Sequence, residues 1–183
     1  MNRTLLLTGL WILSLPLHAG GFSQKLEQNG ISYTISSPNK STGNALTIKS
    51  RGLKNGDISI VQPIEGLVNG AEIADLNGDG APEIFVYTSS FGSGSYGKAY
   101  AWATNGKKLL TEIFITPPEK KDLSGYMGHD EFAVIENSFA RRFPVYKPGD
   151  SNSSPTDGWR QFQYILKPGE AGWVLRINRV DSF

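Results

Sequence analysis

The sequence predicts an all-β fold, an antiparallel β-sandwich with one short helix. Past the first residues no stretch keeps a 3.6-residue apolar period. Short apolar or alternating runs recur instead, and clusters of Gly, Pro, Asn and Asp separate them. The runs place strands at Ile31 to Ser36, Ala45 to Ser50, Ile58 to Gln62, Ala71 to Leu76, Glu83 to Thr88, Lys98 to Thr104, Glu131 to Glu136, Phe139 to Tyr146, Trp159 to Leu166 and Trp173 to Arg179.

Met1 to Ala19 carries Arg3, an apolar run from Leu5 to Leu17 and a small-residue end. That pattern is expected of a secretory signal cleaved after Ala19 or as late as Gly21, with residues 20–183 forming a single domain. Of 183 residues, 164 then remain, enough for one core. Because Arg3 is the only charge lost, they hold 17 basic and 17 acidic side chains. A balanced charge without a basic stripe argues against a nucleic-acid partner, and no second apolar segment is long enough to span a bilayer. The chain has no cysteine, which excludes disulfides, thiolate metal sites and a Cys nucleophile. With His129 the only histidine beyond the leader, a Ser-His-Asp set or a multi-histidine metal site is hard to build.

Individual elements carry more detail. Ile84 to Thr88 is apolar on both parities, whereas Lys98 to Thr104 alternates Tyr100 and Trp102 with Ala99, Ala101 and Ala103. Phe162, Tyr164 and Leu166 share one face, opposite Gln161 and Gln163; Trp173, Leu175 and Ile177 share another. Ile135 to Phe139 suggests a hairpin turn with Asn137 left-handed, and Pro168 to Gly172 a second one. Thr116-Pro117-Pro118-Glu119 offers a capping hydroxyl and first-turn prolines for a short helix to about Ser124. Pro148 to Gly158, rich in Gly, Ser, Asn, Asp and Pro, reads as a mobile loop.

Four motifs bear on chemistry. Gly92-x-Gly94-x-x-Gly97 has dinucleotide spacing, but a strand rather than a helix follows, so nothing would receive a pyrophosphate. Asp75-x-Asn77-x-Asp79-Gly80 with Glu83 puts oxygen ligands at alternate positions, as calcium loops do; the competing and favoured expectation is an Asx-stabilised turn. His129-Asp130 is expected to be structural, and Arg141-Arg142 to split between the two faces of a strand, one arginine pairing across the sheet. Gly92-Ser93-Gly94-Ser95-Tyr96-Gly97 is a hydroxyl and glycine loop beside an aromatic, the kind of surface that binds partners.

The stretch from Asp75 to Trp102, together with Gly125 to Lys147 and onward to Trp173, resembles the periplasmic inhibitors of invertebrate-type (I-type) lysozyme. The resemblance implies a non-enzymatic β-sandwich, without cofactor, that inserts a Ser-Gly-x-x loop into the lysozyme cleft and so protects peptidoglycan. Ser93 and Tyr96 would make the main contacts, with Gly92, Gly94 and Gly97 shaping the loop and Ser95 supporting it. Glycosidase clefts hold paired carboxyl groups to which a serine hydroxyl can donate. Members of that family can be dimeric, which leaves a homodimer open here. The alternative from the residues alone is a calcium-stabilised module that binds cell-wall glycans through Asp75, Asn77, Asp79 and its aromatics.

Overall fold

The computed structural model describes residues 20–183; the expected leader, residues 1–19, lies outside them. The described residues form three sheets. In the first, β1 (Phe22–Gln28), β2 (Ile31–Ser37), β3 (Ala45–Arg51) and β4 (Ser59–Pro63) pair in chain order, and in the second so do β5 (Leu67–Ala74), β6 (Glu83–Ser89), β7 (Gly97–Asn105) and β8 (Leu109–Glu112). After β9 (Phe114–Ile115), the third sheet contains β10 (Glu131–Ile135), β11 (Ser138–Pro144), β12 (Trp159–Pro168) and β13 (Trp173–Ser182), in the order β10-β11-β12-β13-β9. All pairings are antiparallel except β13 with β9.

The two-residue period of a strand explains how the sheets stack. Ile84, Val86, Tyr100 and Trp102 join Tyr33, Ile35, Leu46 and Ile48 of the first sheet in one core. The alternate residues Phe85, Tyr87, Ala101 and Ala103 join Phe139, Phe143, Phe162 and Tyr164 of the third sheet in another. The second sheet is therefore buried on both faces, which is why β6 is apolar on both parities. The sandwich has three layers rather than two.

Small and large side chains are matched across the second core. Alanines on β7 leave room for aromatic rings: Phe85 stacks on Phe139 at 5.3 Å and Tyr87 on Phe132 at 5.3 Å. Such pairs contribute about 0.5–1.5 kcal/mol beyond their burial. Polar links cross the layers as well, Tyr33 with Thr104 at 2.5 Å and Trp173 Nε1 donating to Asn105 at 2.9 Å.

Several local expectations need correction. β1, β8 and β9 were not anticipated, since β1 buries only Phe22 and Leu26 partially against the core and β9 has two residues. The readable signal for β1 was Asn29-Gly30, both left-handed (φ 53° and 79°), which closes β1 onto β2. The expected helix shrinks to a 3-10 turn at Lys120–Leu123 that follows Glu119 without a side-chain cap, while Thr116 stays at the sheet, its amide donating to the Leu175 carbonyl of β13 at 3.0 Å. In the β10–β11 hairpin the left-handed residue is Glu136 (φ 53°), not Asn137, as a turn with positive φ only at its first central position requires.

Candidate functional site: a clamped loop

The loop between β6 and β7 begins as a closed hairpin. Ser90 N–H donates to the Tyr96 carbonyl at 2.8 Å, and Tyr96 N–H returns to Ser90 Oγ at 2.9 Å. Within it Gly92 (φ 107°) and Ser95 (φ 41°) turn the chain, and Ser95 N–H reaches the Gly92 carbonyl at 3.3 Å. Ser93 is exposed, and two large rings stand half in solvent, Phe91 at 53% and Tyr96 at 50%. Isolated exposed apolar groups are ordinary; here two rings on one seven-residue loop are exposed together.

Two other loops hold this one. His129 N–H donates to the Gly94 carbonyl at 2.8 Å, and Asn152 Nδ2 to the Ser93 carbonyl at 2.6 Å. The approach is close enough to demand glycine: a Cβ on Gly128 (φ 95°) would lie 1.9 Å from the Gly94 oxygen, and one on Gly97 would lie 2.5 Å from Asp130 Cβ. The loop expected at Pro148 to Gly158 is itself gathered by Asp150, whose carboxylate accepts the Lys147 and Thr156 amides at 2.8 and 3.0 Å.

Asp130 lies beneath the loop, its side chain wholly buried. One carboxylate oxygen takes Arg141 Nε and Nη2, both at 2.7 Å; the other takes Gly97 N–H at 2.7 Å and the Tyr126 hydroxyl at 2.5 Å. Burial, together with that carboxylate, raises the Tyr126 pKa above its ordinary value and keeps the hydroxyl a donor. Arg142 pairs instead with Glu131, its partner across the sheet, and lies 4.8 Å over Trp159, so consecutive arginines do diverge as strand geometry dictates. The sequence reading missed Asp130 and Tyr126 as supports. It also missed half-buried Glu72, which accepts the Tyr87 hydroxyl at 2.5 Å and Val134 N–H at 2.8 Å, and whose pKa is raised by desolvation.

The Asp75 to Glu83 segment takes the form of a turn. Asp75 accepts the Asp79 and Gly80 amides at 3.1 and 2.8 Å, Asn77 Oδ1 accepts Asp79 N–H at 2.9 Å, and Asp79 accepts Ala81 N–H at 2.7 Å. Among the described residues no group of three or more His, Cys, Asp or Glu side chains is arranged to hold a metal ion. Glu83 is wholly buried and accepts Leu76 N–H at 2.8 Å. Desolvation pushes its pKa up to about 7; that amide lowers it, and the charges of Asp79 and Asp75 raise it further. The glycine spacing at Gly92, Gly94 and Gly97 leads directly into β7, which removes the dinucleotide reading.

The described residues thus form an all-β scaffold that presents one braced, aromatic-bearing loop. The model of one family, described as periplasmic lysozyme inhibitor of I-type lysozyme, matches residues 49–123, from within β3 through the 3-10 turn and including the whole β6–β7 loop. The resemblance read from the sequence is borne out for Asp75 to Trp102, which lies inside the match, while Gly125 to Lys147 lies outside it. No curated protein and no solved structure matches the chain.

Proposed function

We propose that this protein is an exported, non-enzymatic inhibitor of I-type lysozyme whose Gly92 to Gly97 loop occupies the enzyme's substrate cleft. The single observation that carries the reading is the exposure of Ser93 and Tyr96 on a loop tied down at both ends and from two sides, within the stretch that the inhibitor family's model matches. A glycosidase of this kind works with two carboxyl groups across a groove. The Ser93 hydroxyl is suited to donate to one of them, and Tyr96 supplies a flat contact with only two side-chain torsions to freeze. No glycosidic bond is offered to the enzyme, so the block is steric.

Residues 20–183 act as the mature inhibitor domain, delivered to the periplasm by the leader, where they shield peptidoglycan. Lysis of peptidoglycan by an I-type, a chicken-type and a goose-type lysozyme, each titrated with the purified mature protein, tests the reading. Inhibition of the I-type enzyme that is weakened by Ser93→Ala and by Tyr96→Ala is expected. Full inhibition by the double variant would dismiss the loop, and failure to inhibit any of the three enzymes would dismiss the function.

A further inference from the structure

We propose that Asp130 is a positioning residue for recognition: through the Tyr126 hydroxyl and the Gly97 amide it sets the orientation of Tyr96 before any partner arrives. This rests on the loop being the lysozyme-contacting surface.

The connection is short and physical. Asp130 Oδ2 holds the Tyr126 hydroxyl at 2.5 Å and the Gly97 amide at 2.7 Å, so one buried oxygen fixes both the ring beside Tyr96 and the backbone immediately after it. Tyr126 stands edge-on to Tyr96, with centroids 5.5 Å apart and planes at 83°, and its other contacts are Phe143 at 4.5 Å and the Arg141 guanidinium at 5.1 Å. Arg141 in turn occupies Asp130 Oδ1 with two donors, so the carboxylate cannot swing toward a different partner without breaking that pair. Tyr96, half exposed, would otherwise sample several rotamers in water. Leaning on a ring that is itself hydrogen-bonded and packed, it loses that freedom before binding rather than during it.

The acidic residue thus acts at one remove. It is too deeply buried to touch a partner, yet it governs how long the partner stays, because preorganised contacts act mainly on dissociation. Gly97 fits the same design: it lets the backbone come close enough to reach Asp130, where any Cβ would collide with Asp130 and with the Phe132 ring.

Tyr126→Phe is the decisive variant, since it keeps the ring against Tyr96 and removes only the donor. Asp130→Asn serves as a second, although it deprives Arg141 of its counter-charge and tests the fold as well. Dissociation from I-type lysozyme is expected to speed up about tenfold in Tyr126→Phe, the order of freezing one side chain. In free protein, amide exchange at Gly97 is expected to quicken and the Tyr96 ring resonances to report greater mobility. In a Tyr96→Ala background, Tyr126→Phe should add nothing, a non-additivity that a merely structural role would not produce.

Unchanged dissociation and unchanged Tyr96 mobility in Tyr126→Phe would overturn the proposal, as would effects that simply add in the double variant. If the wild type itself binds no I-type lysozyme, the functional reading fails on its own. The Tyr96 resonances of the free variants then still decide whether Asp130 positions the ring.

Discussion

Glu83 makes the stability of this protein depend on pH in a direction opposite to that of most carboxylates. It is wholly buried at the start of β6, and its folded-state pKa stands at about 7 against an ordinary 4.5. The folded chain therefore holds this proton more tightly than the unfolded chain does, so the contribution of Glu83 to stability is fully present below about 4.5 and is lost as pH rises through about 7. That difference corresponds to roughly 3 kcal/mol for this one group, a large share of the 5–15 kcal/mol typical of a domain. Glu83→Gln keeps an oxygen to accept the Leu76 amide and removes the titration. Urea unfolding of both proteins across this pH window, in EDTA so that no cation competes, measures the difference in slope. Comparing the two also cancels Glu72, whose raised pKa acts in the same direction in both. Equal slopes for wild type and Glu83→Gln would refute the assignment of the pH dependence to this buried carboxyl.

Ser93→Ala and Tyr96→Ala should weaken lysozyme inhibition while moving Tm little, because Ser93 is exposed and Tyr96 is half in solvent with an edge-on contact to the Tyr126 ring; a matching loss of Tm would indicate general damage instead. Gly128→Ala should destabilise the protein by about 1–3 kcal/mol in urea unfolding, since it adds a Cβ at positive φ against the Gly94 oxygen. Phe139→Ala, which removes the ring stacked with Phe85, Tyr87 and Phe132, should cost about 3–5 kcal/mol by the same assay. Tm should be the same in calcium chloride and in EDTA, because the Asp75, Asn77 and Asp79 oxygens already accept backbone amides; a rise with calcium would reopen the metal reading.

Much of the architecture was open to reading along the chain. Alternation along β12 and β13 correctly separated buried Phe162, Tyr164 and Leu175 from the glutamines and Arg176, because side-chain period in a strand is a local property. The glycine and hydroxyl pattern at Gly92 to Gly97 likewise marked a loop between strands, since turn chemistry resides in a few consecutive residues. The Asx pattern from Asp75 to Asp79 led to a turn for the same reason. Where single residues settled matters between equals, as with Glu136 rather than Asn137 at the left-handed position, local preference was too weak to decide.

What the amino-acid order determined alone was therefore the β class, the facing of its strands, the place of the exposed loop and the resemblance of Asp75 to Trp102 to the inhibitor family. Tertiary structure decided the rest: the third layer over the second sheet, and the meeting of Gly97, Tyr126 and Arg141 on one buried carboxylate. Those partners are separated by up to 44 positions, and a charge such as Asp130 looks like any solvated turn residue until folding removes water from it. Only then does the low-dielectric interior require that every donor and acceptor be matched, and that requirement is what braces the loop.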